Sequence, residues 1–444
     1  MPDGIVEMRD HTRPLAPSDL ADPGLYDRGI PHDVFAAIRA TPGLVWNAID
    51  GDPDDGFWAV TRHAEVVEVS RDPETFSSAV GHIQIYDIDP DALEARASMI
   101  DLDPPIHTRL RRLVSSAFTP RHVQDYRSAI RRRVIAALDA LERAGGGNWV
   151  DLVAKPIPIG VICDLMGVPE ADHELMIELS DHLVAGTSSS GSGSGSGSAP
   201  LDPGAYGNTT ELRLLPFNSP AAHGINEYAL AIGAERRRRP ADDLITALLA
   251  AEIDGERLTD AEFANFFRLM IFAGNETTRS SMAHLAIHLT RFPQQFDRVR
   301  ADRHLLASAA EEVVRYSSPI LYFRRTATRP TVLAGTPIAA GQKVVMWYAS
   351  ANFDEAVFDD PLAFDVGRPS TPPNVAFGGG GAHFCLGASL ARLELAELID
   401  EILTRDLRLD VVADPVHVDS NFVNGLEHVP VDVPVDDPVE MEVR

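Results

Sequence analysis

Apolar residues recur three and four positions apart over much of this 444-residue chain, the spacing that places them on one face of an α-helix. The clearest examples are residues 32–40, 125–144, 242–253 and 388–405. Three consecutive glycines, Gly145, Gly146 and Gly147, end the second of these patterns. Runs with β character are fewer and cover residues 57–62 and 331–349, the latter divided by a Gly/Pro turn. The pattern therefore predicts a mainly α-helical chain with a small β-rich part.

One apolar helical pattern, residues 269–289, carries polar residues at its centre. Glu276 and Thr277 interrupt the apolar positions, and Gly274 precedes them although glycine weakens a helix interior. A small residue in such a place needs a compensating use, and open space beside the helix would be one. The pattern predicts a buried helix that presents polar groups at its middle.

Composition limits the class of protein. The formal net charge of −27 argues against nucleic acid or an anionic membrane surface as a partner. No apolar run reaches the roughly 18 residues that span a bilayer, and the N-terminus is charged, so neither a membrane anchor nor a signal peptide is expected. The two cysteines, Cys163 and Cys385, imply no disulfide framework. We therefore predict a cytoplasmic protein, with Cys163 in the core because its neighbours are apolar.

Residues 187–198 read TSSSGSGSGSGS, a composition that cannot bury a core and predicts a flexible loop. Its regularity suggests a replaced or engineered segment, and natural low complexity is the alternative. Two basic clusters also stand out in this acidic chain: Arg109, Arg111 and Arg112, and then residues 131–133. They would either dock an acidic redox protein or form solvated helix faces.

The run AFGGGGAHFCLGASLAR, from Ala376 to Arg392, contains the most informative residue, Cys385. Glycines let a backbone lie close to a flat ligand, and the helical pattern after Cys385 aims backbone amides at its sulfur. Both effects favour a bound thiolate, and a thiolate on haem iron promotes O–O bond cleavage. A buried or idle thiol is the alternative for a cysteine in such a loop.

Together with the polar-centred helix and the segment AEEVVRYSSP, this run resembles the cytochrome P450 family of haem-thiolate monooxygenases, from about Pro31 onward. The resemblance implies the P450 fold in one domain, residues 1–444: a triangular helical prism that holds haem b between the long distal helix and the Cys385 loop. Residues 187–198 would lie between two helices that roof the substrate pocket. Phe377 precedes Cys385 by eight positions, one more than is usual, because a glycine is added. This longer loop resembles that of some actinobacterial members acting on sterol side chains and methyl-branched lipids.

The resemblance also implies the residues that hold the haem. Cys385 would be the axial ligand of the iron, with Phe377 and Gly387 also at the haem site. The two propionates need cationic or hydrogen-bonding groups at one edge. The matching residues are His107, Arg111, Arg325 and His383.

Other residues are assigned to catalysis and to the support of the haem. On the distal helix, Thr277 would assist oxygen activation and Glu276 would relay protons. Ala273 belongs to the same motif, and Gly274 would leave space for dioxygen. The spacing of Glu312 and Arg315 places them on one helix face, where they can pair. The resemblance implies that this Glu-x-x-Arg pair, together with Arg368, forms a structural lock behind the haem.

The substrate pocket is expected in apolar and aromatic segments that include residues 80–99, 320–323 and 421–423. The residues singled out are Leu269, Ile320, Leu321, Phe323, Phe422 and Val423. Such walls suit a lipophilic substrate, and the resemblance favours a terpenoid, a sterol side chain or a methyl-branched lipid. The departure at Phe353, where the family commonly has arginine, would weaken a surface interaction or change contacts near the redox face.

The implied reaction is hydroxylation with O₂. The chain has neither a second Gly-rich nucleotide-binding unit nor a cysteine set for an iron–sulfur cluster. Electrons must therefore come from a ferredoxin or flavodoxin and its NAD(P)H-dependent reductase. Two alternatives remain, a peroxide-driven haem-thiolate peroxygenase and a non-catalytic haem sensor or carrier.

Overall fold

A computed structural model describes residues 14–49, 51–87, 98–185, 220–252 and 255–434. The loop at residues 187–198 lies outside these residues, as does much of the expected pocket segment 80–99.

Helices dominate the described residues, so the prediction of a mainly helical chain is confirmed. They are α1 (His32–Ala40), α2 (His63–Arg71), α3 (Ile106–Val114), α4 (Pro120–Asp125), α5 (Arg127–Ala144), α6 (Pro156–Met166), α7 (His173–Ala185), α8 (Pro220–Arg238), α9 (Leu244–Ala250), α10 (Asp260–Arg291), α11 (Pro293–Ala301), α12 (Leu306–Ser317), α13 (Tyr348–Ala351) and α14 (Ala388–Thr404). The pattern at residues 125–144 corresponds to α5, which ends at Gly145 in a left-handed conformation with φ 72°.

The β structure is small, as expected. Its strands are β1 (Val45–Ile49), β2 (Asp52–Val60), β3 (Phe76–Ser77), β4 (Gly146–Asn148), β5 (Tyr322–Ala327), β6 (Thr331–Leu333), β7 (Thr336–Ile338), β8 (Lys343–Trp347), β9 (Asp410–Val411), β10 (Val416–His417), β11 (Leu426–His428) and β12 (Pro430–Asp432). The main sheet has the order β1-β2-β8-β5-β3, in which only β2 and β8 run parallel. A second sheet has the order β4-β12-β9, and two further pairs, β6-β7 and β10-β11, complete the β structure of the described chain.

Helix α10 is the structural centre of the molecule. It begins with a capping box, in which the Thr259 side chain accepts a hydrogen bond from the Glu262 amide and the Glu262 side chain accepts one from the Thr259 amide. It packs against α6, α7, α8, α12 and α14, so most of its residues are buried. A helix surrounded in this way must be apolar on nearly all sides, and polar groups at its middle are held in the protein interior. Among the described residues, no helix combines the length and the apolar character that crossing a membrane requires.

Candidate active site

A large internal cavity lies between the middle of α10 and the loop that precedes α14. It contains about 1310 Å³ of space free of protein atoms, including any solvent at its mouth. Typical small-molecule sites contain roughly 300–1,000 Å³. Ala273, Gly274 and Thr277 line the cavity from α10, and Phe377 and Cys385 line it from the loop. The cavity therefore has room for a large flat group and for a second molecule beside it.

The loop from Phe377 to Cys385 is closed by a backbone hydrogen bond, in which the Cys385 amide donates to the Phe377 carbonyl at 2.9 Å. The Arg392 guanidinium carbon lies 4.3 Å from the centre of the Phe377 ring, which fixes that ring beside the cavity. The added glycine thus leaves Phe377 and Cys385 in direct contact through the backbone.

The glycine run itself packs against α2. A Cβ atom on Gly379 would lie 2.6 Å from Ser70 Oγ and 2.9 Å from the Val66 carbonyl oxygen. A Cβ atom on Gly381 would overlap the Ser70 carbonyl oxygen, and Gly381 also has a positive φ of 73°. Only glycine meets both requirements, so the loop can lie directly on the surface of α2.

The Cys385 side chain lies within the protein but is open to the cavity. Burial raises the pKa of its thiol, while hydrogen bonding from the Gly387 amide, the charges of Arg111 and Arg392, and the Ala388 amide act in the opposite direction. Ala388 is the first residue of α14, so the sulfur faces amide groups at a helix N-terminus. Cys163, in contrast, is fully buried in α6, and burial raises its pKa to about 12. Cys385 therefore has amide groups and cationic side chains beside it that oppose the effect of burial, although its pKa remains raised.

Cationic and imidazole groups gather at one edge of the cavity. His107 and His383 have ring centres 4.3 Å apart, and Arg111 donates to the Phe384 carbonyl at 2.6 Å. Arg325 is buried beside them and donates to the Arg324 carbonyl at 2.8 Å, and its charge acts on both histidines. Three of the four residues expected at one edge, His107, Arg111 and His383, line the cavity there, and Arg325 lies outside its lining.

The electrostatics of this edge suit an anionic group. Burial, followed by the Arg111 charge, lowers the pKa of His107 to about 4, and burial with the Arg325 charge lowers that of His383 to about 2. Nδ1 of His107 is buried and has no hydrogen-bond partner among the described residues. Asp103 lies nearby, but its carboxylate accepts from the Ser77 hydroxyl and the Ser78 amide. The Arg111 guanidinium, the nearby charge of Arg325 and the unpartnered imidazole nitrogen of His107 would suit the carboxylates of a haem.

On α10, the Thr277 hydroxyl lines the cavity and donates to the Ala273 carbonyl at 3.0 Å. Gly274, which is expected to leave space for dioxygen, also has a second use in the packing of two helices. A Cβ atom on Gly274 would lie 2.5 Å from Ile162 Cδ1 of α6, so the absent side chain makes room for Ile162. The glycine thus serves the close approach of two helices while its backbone still borders the cavity.

Glu276 is buried on a different side of α10 from the cavity wall. Its Oε1 accepts a long hydrogen bond of 3.5 Å from Ser280, and its Oε2 lies 3.7 Å from Arg279. Burial raises the pKa of this carboxyl, and the Arg279 charge opposes the change. Arg279 also pairs with Asp181 at 3.0 Å, and Asp181 pairs with Lys155. The carboxyl is therefore the inner member of a chain of ion pairs.

Glu312 and Arg315 pair on α12, where both are almost fully buried. Arg315 Nε and Nη2 donate to Glu312 Oε2 and Oε1 at 2.7 Å each, and Arg368 Nε donates to the same oxygens at 3.1 and 3.2 Å. Arg315 also donates to the carbonyls of Asn352 and Pro361. One carboxylate thus joins α12 to two later segments of the chain.

Phe353 is buried against this group, with its ring centre 5.0 Å from the Arg315 guanidinium carbon and 4.3 Å from the centre of the His32 ring. Only 1% of Phe353 is exposed, so the interpretation that this residue weakens a surface interaction is wrong. It covers the buried guanidinium with an aromatic face.

The expected pocket residues fall into two layers. Leu269, Ile320 and Phe323 line the cavity. Leu321, Phe422 and Val423 are buried but do not reach the wall, which corrects the expectation for these three. Phe422 stacks on Phe323 at 5.9 Å, and Val423 forms a β-bridge with Ile320. They support the wall from behind.

The basic clusters are largely neutralised within the chain. Arg131 pairs with Glu401 at 2.9 Å, and Arg133 makes two bonds of 2.7 Å to Asp164. Arg109 pairs with Glu262. These partners favour the interpretation as helix faces over docking sites for Arg131 and Arg133.

Sequence reasoning missed several residues of the site. Tyr348 lines the cavity beside Arg325, and burial raises its pKa to about 12. The Ser78 hydroxyl lies 3.2 Å from His383 Nε2. Ile162 and Phe266 complete the apolar wall. Each comes from a segment whose pattern predicts only a helix, a strand or a loop, so no local signal marks it.

Comparison with known proteins agrees with this geometry. A family profile described as Cytochrome P450 matches residues 225–414. The chain is 39% identical over 415 residues to the methyl-branched lipid omega-hydroxylase of Mycobacterium tuberculosis H37Rv, covering 91% of each protein. It is 35% identical over 429 residues to the steroid C26-monooxygenase of Mycolicibacterium smegmatis, covering 94% of this chain and 95% of that one. A Mycobacterium marinum cytochrome P450 solved in complex with pseudoionone has a TM-score of 0.82 and 39% identity, covering 95% of this chain and all of the other.

Proposed function

This chain belongs to the cytochrome P450 family, and from that premise we propose that it hydroxylates a terpenoid, a steroid side chain or a methyl-branched lipid with O₂. The family establishes a haem-thiolate monooxygenase of lipophilic compounds. The observation that carries the proposal is the position of the Cys385 sulfur in a cavity that is also lined by the polar centre of α10 and by apolar side chains. When bound, the haem supplies oxygen activation and the oxidation of an otherwise unreactive C–H bond.

Cys385 would hold the iron, and the amides of Gly387 and Ala388 support the thiolate that this requires. His107, Arg111, Arg325 and His383 would hold the propionates. Phe377 would orient the ligand loop, because its carbonyl accepts from the Cys385 amide. Glu312, Arg315 and Arg368 would keep the segments behind the haem in place through one shared carboxylate.

Thr277 would present an oxygen atom at the site of oxygen activation. Its hydroxyl donates a hydrogen bond to the Ala273 carbonyl, so the lone pairs of Oγ1 can accept a hydrogen bond from a donor in the cavity. Burial raises the pKa of the Glu276 carboxyl, which would favour its taking up a proton, while the charge of Arg279 opposes this. The Ser280 hydroxyl, which donates to Glu276, is the group through which a proton would exchange. Proton supply of this kind favours the use of O₂ over a peroxide-driven reaction.

The substrate class follows from the walls and from the relatives. Leu269, Ile320 and Phe323 offer apolar surface, which binds by shape rather than by polar contacts. The relatives are named for methyl-branched lipids and for the C26 position of steroids, and the solved relative contains pseudoionone. These ligands share a branched hydrocarbon portion, which is the feature that the walls would recognise.

Electrons would come from a ferredoxin or a flavodoxin and its NAD(P)H-dependent reductase. Both cysteines are free thiols, which suits the reducing cytoplasm where such donors are found. Because Arg131 and Arg133 are paired within the chain, we do not assign the docking of the donor to them.

The test is the difference spectrum of the reduced protein with carbon monoxide. We expect the strongly red-shifted Soret band of thiolate-ligated iron in the wild type and its loss in Cys385→Ala. Cys163→Ala is the matched control, and it should keep the band because Cys163 is buried in α6, outside the cavity wall. An unshifted band in the folded wild-type protein, or a band that survives in Cys385→Ala, contradicts the proposal.

A further inference from the structure

A second internal cavity lies next to the first, between α3 and the first two turns of α10. It contains about 800 Å³ of space free of protein atoms. Its lining residues are Ser98, Met99, Leu102, Ile106, Leu110, Val114, Leu258, Ala261, Glu262, Asn265 and Phe266. Met99 and Phe266 also line the active-site cavity, so these two side chains stand between the two spaces.

The walls of this second cavity are mainly apolar. Protein interiors are close-packed, and an empty cavity costs stability because its lining atoms lose contacts. Apolar walls favour the binding of apolar molecules, which cover the lining atoms. The space is therefore suited to hydrocarbon.

Its position relative to the reactive site is set by α10. Phe266 precedes Ala273 by seven residues, which is about 10 Å along a helix, and Glu262 lies about 6 Å further on. Polar groups lie at that far end, where Glu262 pairs with Arg109 and accepts hydrogen bonds from Thr259. Ile106, on the same cavity, is 54% exposed. The second cavity thus extends from the active-site wall toward the protein surface.

We propose that the far end of a long substrate occupies this second cavity while its other end is hydroxylated beside Thr277. The inference rests on the proposed function and specifies the substrate as an elongated lipid. Met99 and Phe266 form the passage, and an unbranched methionine adapts to chains of different shape. A hydrocarbon chain of roughly a dozen carbon atoms spans the distance of about 15 Å between Thr277 and the passage. Longer chains gain contact with Leu110, Val114 and Leu258.

The experiment compares ligands of increasing length in the haem-loaded enzyme. The probes are methyl-branched alkanols from about eight to about eighteen carbon atoms, and affinity is measured by the spin-state shift and by calorimetry. Each methylene buried in the second cavity is worth about fourfold in affinity. We expect the affinity of the wild type to keep rising beyond about a dozen carbon atoms.

The variants Val114→Phe and Leu258→Phe fill the second cavity from two different walls. Each should bind the short alkanols as the wild type does and bind the longest at least about tenfold more weakly. Val332→Phe is the control, because Val332 lies on β6, is 62% exposed and lines neither cavity. Two variants are used so that a folding defect in one does not decide the outcome.

Normal carbon monoxide spectra with the same length dependence in both variants as in the wild type overturn this inference. A uniform loss of affinity for short and long alkanols overturns it as well. Neither result affects the proposed function, which is contradicted by a wild type without the thiolate-haem spectrum or by a band that survives in Cys385→Ala. The two conclusions are therefore separable in one set of samples.

Discussion

The Thr277 hydroxyl donates to the carbonyl oxygen of Ala273, 3.0 Å away and one turn earlier in α10. Both residues line the active-site cavity, whereas Glu276, the neighbour of Thr277 in sequence, points away from it toward Arg279. An ordinary helical hydrogen bond therefore fixes the rotamer of a hydroxyl that faces the reactive site. The structural and the catalytic interpretations of Thr277 are compatible, because the hydroxyl donates its proton to this bond and its oxygen lone pairs remain able to accept a hydrogen bond.

Replacing Thr277 with alanine should leave haem content and substrate affinity unchanged but uncouple the reaction. Without the hydroxyl, the reduced enzyme should release most of its reducing equivalents as hydrogen peroxide. Formation of hydroxylated product should fall by about tenfold or more. Peroxide and product per NAD(P)H consumed are the measurements. Thr290→Ala is the control, because Thr290 makes the same bond to Ala286 near the end of α10. Unchanged coupling in Thr277→Ala would reject the role.

Glu312→Ala should remove the carboxylate shared by Arg315 and Arg368. The buried guanidinium of Arg315 would then have no carboxylate to neutralise its charge. The free energy of unfolding should fall by about 3–5 kcal/mol, and haem incorporation should fail. Urea unfolding and the haem-to-protein ratio measure the two effects. Asp297→Ala is the control, since Asp297 is 64% exposed, its partner Arg300 is 40% exposed, and such a pair is worth about 1 kcal/mol or less. A normal haem content in Glu312→Ala contradicts the assignment.

Gly381→Ala should destabilise the ligand loop, because the added methyl group would overlap the Ser70 carbonyl oxygen. Gly335→Ala is the matched control: its φ of 78° is close to the 73° of Gly381, but no atom lies within 4 Å of its added Cβ. The control should lose only the roughly 1–2 kcal/mol of left-handed strain. Gly381→Ala should lose more and should also disturb the carbon monoxide spectrum. Equal losses in the two variants would show that contact with α2 does not matter.

The half-buried His284 predicts a loss of stability in acid. Burial, with the nearby His417, lowers its pKa to about 4 from the ordinary 6.5. The unfolded chain therefore binds the proton more readily, so stability is highest above pH 6.5, falls as the pH decreases, and levels off below pH 4. The contribution is about 3 kcal/mol over this range. His284→Gln should make the dependence of the unfolding free energy on pH shallower, and an unchanged slope would contradict the assignment.

The sequence predicts those parts of the site that local spacing encodes. The Glu312–Arg315 pair and the polar centre of α10 are patterns within single helices, and the Cys385 loop is a short motif. Residues that meet only through the tertiary fold are not encoded in that way. Arg131 and Glu401 are 270 positions apart. The sequence therefore shows the basic cluster at residues 131–133 but does not show that an acidic partner neutralises Arg131. For the same reason, only the folded chain shows that Ile162 packs against Gly274 and that a second cavity adjoins Met99.

The close contact between the glycine run and α2 limits how segments of this sequence can recombine with those of relatives. Gly379 and Gly381 approach Val66 and Ser70 so closely that the shapes of the loop and of the helix must match. A loop with side chains at these two positions would collide with this α2, and this loop would lose its contacts above an α2 of different shape. Recombination between relatives should therefore preserve function only when both segments are inherited from the same parent.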